Sequence, residues 1–484
     1  MKNIYKNITS LLLTSLLLFT SCETSLDINK DPDLLSPDQL PMSAELPAAE
    51  TGIAAAKGSY LAITGGFWSQ FWTQSAVANQ YKYIDDYTLN STSQINNPGY
   101  WSAIYDALTD VRNVKANALA EQNWNYYLIA TALDVYASQT LVDMYGSVPY
   151  SEANDPAILN PKFDDPESIY DQMVIDLKDA LNKNFAESPV ENAPGNSDFI
   201  FGGDMNKWKQ FANTLLLKVY LRQSNVRPAV AQQGITTLIN SGVSFLDSDA
   251  AITQFKDEDS RSNPLYESDR RQLNVGTNLR ASETLGGFLT NNSDPRAAKY
   301  YNGTTYQLQG DYDNGSANAS VVILSATDPV YFISLAESKF LQAEASVRYM
   351  GGTNAKSLYE AGVSAAFDRW GLDGSTFVSG VYAYPNGSSE QNIEAIITQK
   401  WIDAFPANGY ESFIEHNRTG YPKESMVAQD DLAYIKGQFA YSVEGKTNGA
   451  FPKRLEYPQN EMQRNSNAPS SIVDILVPVW YDVN

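Results

Sequence analysis

The chain has 484 residues, a formal net charge of -22 and an aromatic content of 12%. A surface this acidic repels the phosphate backbone, so we expect no nucleic-acid partner. One cysteine and one histidine exclude both an internal disulfide and zinc sites built from three His or Cys ligands. No G-x-S-x-G elbow and no G-x-x-x-x-G-K-[ST] loop occurs, which removes two common enzyme classes.

The first 21 residues have the pattern of an export signal. Two lysines precede the apolar run LLLTSLLLF (residues 11–19), which is too short for a membrane span of about 20 residues. The single cysteine, Cys22, follows directly after small and polar residues. This order favours a lipoprotein signal with acylation of Cys22 over a plain cleaved signal with a chance cysteine. We expect residues 1–21 to be removed, and the proline-containing residues 22–45 to form a lipidated tether on a membrane.

Apolar residues recur at helical spacing along much of the remaining chain. The pattern predicts helices over residues 67–81, 101–119, 126–144, 169–185, 204–222, 330–350, 357–370 and 392–405. Before the fifth of these, Asp204 is a good N-cap, because its carboxylate can accept hydrogen bonds from free backbone amides. Trp208 lies on the apolar stripe of that helix, where we expect it to be buried.

Residues 242–327 have a different texture, with clusters of Gly, Asn, Asp and Ser and few periodic apolar runs. They predict a loop-rich insertion with short strands. We therefore expect one domain over residues 46–484, with a mainly α fold of paired antiparallel helices that carries this insertion. No fixed-period repeat is evident from the sequence.

Six strings, in this order, resemble the SusD/RagB family of nutrient-binding outer-membrane lipoproteins of Bacteroidetes. They are LDINKDPD after Cys22, MYGSVPYSEA, FIFGGDMNKWKQFANTLLLKVYLR, LAESKFLQAEA, ITQKWIDAFPANGYESFIEHNRTGYP and FPKRLEYPQNE. Together they extend over almost the whole chain. The form is more similar to the second SusD-like subfamily than to the starch-binding type.

The resemblance implies a cell-surface lipoprotein that acts as a lid on a SusC-like TonB-dependent transporter. Such a protein captures an oligosaccharide, or in some relatives a peptide, and delivers it to the channel. The resemblance also implies four tetratricopeptide-like helix pairs as a scaffold and a loop-rich subdomain that carries much of the ligand face. We expect no cofactor, no metal and no catalysis.

The stretch GGFWSQFWTQSAVANQYKYIDDY supplies candidate ligand contacts, because flat rings and neutral polar groups suit sugars and peptides alike. In a helix, Trp68 and Trp72 would share a face. The candidates in this stretch are Trp68, Trp72, Gln74, Asn79, Tyr81 and Tyr83. For Trp68 and Trp72 the competing interpretation is a core stripe between helices, which is the commoner role of such rings.

Two insertion tyrosines, Tyr301 and Tyr306, complete the candidate set. They lie in a loop context, where binding residues concentrate, but rings in such a segment also serve to pin it onto a scaffold. The nearby GDYDNGSAN predicts a turn, since it lacks the Glu that closes a calcium loop. Arg418 and Arg454 are expected to lock the chain by binding carboxylates or carbonyl groups.

Two other functions remain open from the sequence. A surface glycoside hydrolase would need facing carboxylates, and Glu337 and Glu344 serve poorly because seven helical residues place them about 10.5 Å apart along one axis. A retaining enzyme needs its two carboxyl groups about 5 Å apart. A structural adaptor with tetratricopeptide-like grooves would lack an aromatic cleft.

Overall fold

A computed structural model describes residues 40–89, 98–189 and 193–483. Met42–Asn484 cluster as one compact unit. The predicted signal and Cys22 lie outside the described residues, and they stay predictions, as do the predicted domain boundaries. None of the helices in the described ranges is both long and apolar enough to cross a membrane.

Helices provide most of the regular structure. The helices before residue 242 are α1 (Met42–Ala56), α2 (Ala62–Trp68), α3 (Lys82–Asp85), α4 (Pro98–Ala120), α5 (Trp124–Tyr145), α6 (Pro166–Leu181), α7 (Met205–Arg222) and α8 (Pro228–Asn240). Those after it are α9 (Pro264–Tyr266), α10 (Glu283–Asn291), α11 (Ala297–Tyr300), α12 (Leu335–Tyr349), α13 (Ala355–Asp368), α14 (Ser375–Val378), α15 (Ser389–Asp403), α16 (Gly409–Thr419) and α17 (Gln459–Arg464). Within the described residues, two segments are π-helical, π1 (Lys57–Leu61) and π2 (Glu267–Arg271), and two are short 3-10 turns, Phe185–Glu187 and Gly195–Ser197.

Several helices pack on their neighbours in the chain, and α1 packs on the more distant α4. Helix α4 packs on both α1 and α5, α7 packs on α6 and α8, and α12 packs on α13. The connection between α4 and α5 is short, which makes the two helices antiparallel. Its last residue, Asn123, caps α5 by accepting a hydrogen bond from the Tyr126 amide. The predicted mainly α fold with tetratricopeptide-like helix pairs is confirmed.

The strands are short and form two-stranded antiparallel pairs. They are β1 (Trp72–Gln74) with β5 (Leu279–Ala281), β2 (Val148–Pro149) with β3 (Phe163–Asp164), and β4 (Ala250–Ile252) with β6 (Val330–Ile333). The insertion at 242–327 contains β4, β5, π2 and helices α9 to α11 among turns, so it is loop-rich as predicted. The pairing of β1 with β5 attaches this insertion to the aromatic segment near the start of the fold.

Two of the predicted helices are wrong in part. The segment 67–81 is not one helix: α2 ends at Trp68, Gln70 has a left-handed backbone (φ 56°) and β1 follows. Contacts with distant residues cause this break in the helix. The side-chain NH₂ group of Gln70 donates to the Ala440 carbonyl, and its side-chain oxygen accepts from the Thr284 hydroxyl. Trp68 and Trp72 therefore do not share a helix face. Similarly, the start of the segment 330–350 is strand β6, and the helix begins only after its cap, Ser334.

Helix α7 begins at the predicted cap. The Asp204 carboxylate accepts hydrogen bonds from the amides of Asn206 (2.9 Å) and Lys207 (3.3 Å). Trp208 is fully buried, and its indole nitrogen donates to Asp198 at 2.7 Å. The expected burial of Trp208 is confirmed.

A buried ion cluster joins α5, α7, α12, α15 and α16. Its members are Asp143, Lys218, Arg222, Glu337, Glu344, Lys400, Glu411, Glu415 and Arg418, none more than 7% exposed at the side chain. These four cations and five carboxylates are balanced by the partly exposed Arg348, which lies 2.6 Å from Glu344. Buried charges are tolerated only when they are paired and hydrogen-bonded.

Two arginines organise the cluster. Arg222 contacts Asp143 (2.9 Å), Glu411 (2.7 Å) and Glu415, and Arg418 binds both oxygens of Glu344 at 2.7 and 2.8 Å. Burial alone would raise the pKa of Glu411, but the neighbouring cations, Arg222 first, lower it to about 2. Glu411 is therefore ionised at neutral pH, and the cluster ties five helices together. The predicted structural role of Arg418 is what its contacts show.

Arg454 and His416 also have structural contacts. The Arg454 guanidinium donates to the Tyr145 carbonyl at the end of α5 and lies over the Tyr457 ring, 5.0 Å from its centroid. The His416 ring packs on Phe439, with 4.7 Å between the ring centroids. These contacts hold the irregular tail against the helices.

Replacing Trp208 by Ala is expected to lower the free energy of unfolding by about 3 to 5 kcal/mol, because it removes a buried indole and leaves a cavity. Chemical denaturation measures this directly. A loss below about 1 kcal/mol would contradict the packing described for α7.

Replacing Arg418 by Met is expected to cost about 3 to 5 kcal/mol, because it leaves the buried Glu344 and Glu415 without their main partner. The matched control is Arg261→Met, whose ion pair with Glu258 is more than half exposed on both sides. The control should change the unfolding free energy by about 1 kcal/mol or less. If both substitutions lower the free energy of unfolding equally in denaturant titrations, the buried cluster stabilises the fold no more than an exposed ion pair does, which would contradict its described role.

Candidate functional site

Most of the predicted ligand contacts lie in the interior. The side chains of Trp68, Trp72, Gln74, Tyr81 and Tyr301 are all buried. The indole nitrogens of Trp68 and Trp72 donate to the carbonyl groups of Ile84 and Ile63 at 3.3 and 3.2 Å. In this structure the two indoles pack in the core, which was the competing interpretation of both residues.

Tyr301 pins the insertion to the scaffold. Its hydroxyl donates to the Phe71 carbonyl at 2.7 Å, and its ring packs edge-on against Phe405. Tyr81 is held in the same manner, because its hydroxyl donates to Asp269 at 2.9 Å. Both rings therefore connect the aromatic segment to residues far along the chain.

A buried polar network fixes the turn that follows β1. The Asp85 carboxylate accepts hydrogen bonds from the Thr73 hydroxyl (2.6 Å), the Gln74 amide (2.7 Å) and the Gln309 side chain (2.6 Å). Burial raises the pKa of Asp85 to about 7 in spite of these donors. Gln307 adds a hydrogen bond from its side chain to the Gln74 carbonyl at 2.7 Å. This network holds the insertion against β1 through amide side chains.

Three predicted contacts reach the surface at least in part. Asn79 is exposed, whereas Tyr83 and Tyr306 are partly buried. The Tyr306 hydroxyl is 2.7 Å from that of Thr290. The Tyr83 hydroxyl has no hydrogen-bond partner among the described residues, and burial, followed by the neighbouring Tyr60, raises its pKa. Tyr60 belongs to π1, so Tyr83 lies beside that segment. The sequence had suggested no functional residue in π1.

The two π-helical segments mark an unusual place in the fold. Segments π1 and π2 pack against each other, although more than 200 residues separate Leu61 from Glu267. Ser59 within π1 has non-helical backbone angles (φ -99°, ψ -117°), so the chain is kinked between α1 and α2. Such π-helical turns occur frequently at functional sites.

Both segments form walls of a large cavity, which we call the α1–α4 cavity. Its volume is about 730 Å³, within the range of ligand pockets. Small residues of α1 and α4 line the helical side together with Asp106, Thr109 and Asp110, and mostly polar residues line the side formed by the insertion. The lining residues are Gly52, Ala55, Ala56, Ser59, Ala103, Asp106, Ala107, Thr109, Asp110, Ser260, Ser262, Pro264, Glu267, Ser268 and Gln272.

Carboxylates and hydroxyl groups dominate the polar lining. Burial, followed by the charge of Asp106, raises the pKa of Asp110. Behind it lies the buried Glu45, one of whose oxygens lacks a hydrogen-bond partner in the described chain. Among the residues that the structure describes, no lysine or arginine lines the cavity. The arrangement offers hydrogen-bond acceptors to a ligand rich in donors such as hydroxyl groups.

The geometry gives little support to a hydrolytic site. Glu337 and Glu344 are buried in the ion cluster, where Lys218 and Arg418 bind them. In the described part of the chain, no group of three or more His, Cys, Asp or Glu residues is placed to hold a metal ion. Within GDYDNGSAN, Asp311 accepts a hydrogen bond from the Asn314 amide, as in the predicted turn.

The family model SusD-like_2, described as "Starch-binding associating with outer membrane", matches residues 42–458. No curated protein matches the chain.

Solved structures share the fold. A SusD homolog from Bacteroides uniformis has 23% identity and a TM-score of 0.69, with 91% of this chain and 99% of that chain covered. A chitin-binding SusD homolog from Flavobacterium johnsoniae has 22% identity and a TM-score of 0.71, with the same coverage. Another structure, titled a chitin-binding protein, has 24% identity, a TM-score of 0.73, and coverage of 92% and 100%. At these identities the likeness shows the fold alone.

The buried Glu45, which interacts with the charge of Asp110, allows a pH-dependent test. Burial, followed by the charge of Asp110, raises the pKa of Glu45 from 4.5 to about 7. A carboxyl group with a raised pKa in the folded state contributes stability that is complete below about pH 4.5 and is lost as the pH rises through about 7. Glu45→Gln removes this dependence, so the variant should gain stability relative to the wild type across that interval.

Urea denaturation at several pH values measures the effect, with the exposed Glu121→Gln as the control. The stability difference between the control and the wild type should not change with pH over the same interval. A Glu45→Gln difference that is flat with pH, or that falls as the pH rises, would contradict the environment described for Glu45.

Proposed function

We propose a function for this chain, which belongs to the SusD-like family because the family model matches residues 42–458. It is a surface lipoprotein without catalytic activity that binds an oligosaccharide and delivers it to a partner TonB-dependent transporter of the outer membrane. The supporting observation is the α1–α4 cavity, which is large, lined by acceptor groups and walled by both π-helical segments.

The chemistry of the cavity favours a sugar over a peptide. Its lining contains several hydroxyl groups, the carboxylates of Asp106, Asp110 and Glu267, and the amide of Gln272. Sugars present many hydroxyl groups that can donate to such acceptors without bringing in charge. A peptide with a free carboxylate terminus would be repelled. The family description and the chitin-binding structures with the same fold agree with this choice.

The surface location and the transporter are parts of the same proposal. The signal pattern that ends at Cys22 supports a lipid anchor, and the family description supports association with the outer membrane. An anchored receptor needs only modest affinity if a transporter adds contacts to the bound ligand. The absence of catalysis is proposed from the family description, which names binding and no reaction. Glu267, the carboxylate on the wall opposite Asp106 and Asp110, is held by Ser262 and Arg271.

The proposal predicts that filling the cavity abolishes binding. Ala55 is exposed and lines the cavity, so Ala55→Trp places a large ring where the ligand would lie. Calorimetry with chitin-derived and starch-derived oligosaccharides should show binding to the wild type and a loss of at least about tenfold in affinity for the variant, about 1.4 kcal/mol.

The matched control is Ala44→Trp, which adds the same ring to an exposed position at the other end of α1. It should bind like the wild type. Binding of peptides but not of oligosaccharides would overturn the assigned ligand class. Release of shortened sugars from any polysaccharide would replace the proposed receptor with a hydrolase.

A further inference from the structure

A second cavity lies on the other side of α4, and we call it the Trp101 cavity. Its volume is about 280 Å³. Its lining combines aromatic rings with polar groups at the rim, in contrast to the small residues of the α1–α4 cavity. The residues that matter here are Trp101, Ser102, Tyr105, Asp106, Asn460 and Glu461.

Asp106 lines both cavities. Successive residues of an α-helix are rotated by about 100°. Ser102 and Tyr105 therefore lie on one flank of the outer face of α4, and Ala103 and Asp110 lie on the other. The exposed Asp106 stands on the ridge between them. The two cavities are thus neighbours across a single helix, with one carboxylate accessible from both.

The aromatic floor of the Trp101 cavity is rigid. The Trp101 ring packs against Tyr105, Tyr145 and Tyr457, with ring centroids 5.1, 5.0 and 6.0 Å apart. The Tyr105 hydroxyl donates to the Pro149 carbonyl at 2.7 Å, which fixes the orientation of its ring. Rings that are already held in place lose little entropy when a ligand packs on them.

The rim of the same cavity keeps polar groups for a ligand. Asn460 is exposed, and its side-chain oxygen accepts from the Glu461 amide at 3.0 Å. The NH₂ group of such an exposed amide can donate to a ligand. Asn154, by contrast, is already committed, because its NH₂ group donates to the Tyr105 carbonyl (2.9 Å) and the Thr109 hydroxyl (2.6 Å). A donor, a carboxylate and a partly exposed aromatic ring are the groups that bind a sugar ring on its edge and its face.

We propose that the two cavities are successive subsites for one oligosaccharide chain, which crosses α4 at Asp106. The α1–α4 cavity holds the main part of the chain, and the Trp101 cavity holds a further sugar ring against Tyr105. This inference rests on the proposed function and adds to it a preference for long chains over short ones. Asp106 accepts hydroxyl hydrogen bonds from the units on either side of the ridge.

The test is the dependence of affinity on chain length. Calorimetry of the wild-type protein with a disaccharide and a hexasaccharide of the same series should show at least about tenfold tighter binding of the longer sugar. Two substitutions at the surface of the protein alter the Trp101 cavity. Ser102→Gln, at a partly exposed residue, fills the cavity, and Asn460→Ala, at an exposed residue, removes a hydrogen-bond donor from its rim. Each should remove most of the gain and leave the disaccharide affinity unchanged.

The matched control is Asn206→Ala, an exposed amide on α7 that lines neither cavity. It should leave both affinities unchanged. Equal affinity of the wild type for short and long sugars, or a gain that survives both variants, would overturn the second subsite while the proposed function stands. Failure of every oligosaccharide to bind the wild type would overturn both. Equal affinities of the wild type for short and long sugars would overturn the second subsite even if a variant does not fold.

Discussion

The fold depends on the buried ion cluster that joins α5, α7, α12, α15 and α16. Arg222 and Arg418 connect carboxylates from helices that are distant in the chain, among them Glu344 on α12 and Glu411 on α16. Each charge is acceptable in the interior only because its partners are in place, so the helices cannot shift independently. This constraint gives the scaffold a defined geometry that apolar packing alone specifies less sharply. The loop-rich insertion is then attached to a rigid base.

The same region determines where the candidate site lies. Lys57, the first residue of π1, is fully enclosed; its ammonium nitrogen donates to the Tyr331 carbonyl at 2.6 Å and contacts the Tyr136 hydroxyl, which is 3.1 Å from that of Tyr410. Burial, followed by the charge of Lys218, lowers the pKa of Lys57 to about 7. The kink at Ser59 begins two residues later, and the α1–α4 cavity opens beside it. The buried Lys57 and the kink at Ser59 thus belong to the same short segment, and Ser59 lines the cavity.

The sequence was sufficient for the fold class, for most of the long helices and for the loop-rich insertion, because these follow from apolar periodicity and caps such as Asp204. It was insufficient for the site. Trp68 and Trp72 have the composition of a ligand platform, but a left-handed Gln70 and its contacts with Ala440 and Thr284 turn them into the core. Both cavities are formed by residues far apart in the chain, such as Ser59 with Glu267 and Tyr105 with Asn460. A local sequence pattern does not predict that such residues lie close together. Of the predicted contacts, Tyr81 and Tyr83 lie near Tyr60 of π1, but neither lines one of the two cavities.

The proposed function requires a sugar chain in the cavity between α1, α4 and π2. A crystal structure of the protein with a bound oligosaccharide would show whether it lies there. Ordered sugar density is expected beside Asp106 and Asp110, with the scaffold helices unchanged. Sugar density confined to another surface, such as the exposed turn at Asn79, with the α1–α4 cavity filled only by solvent, would contradict it.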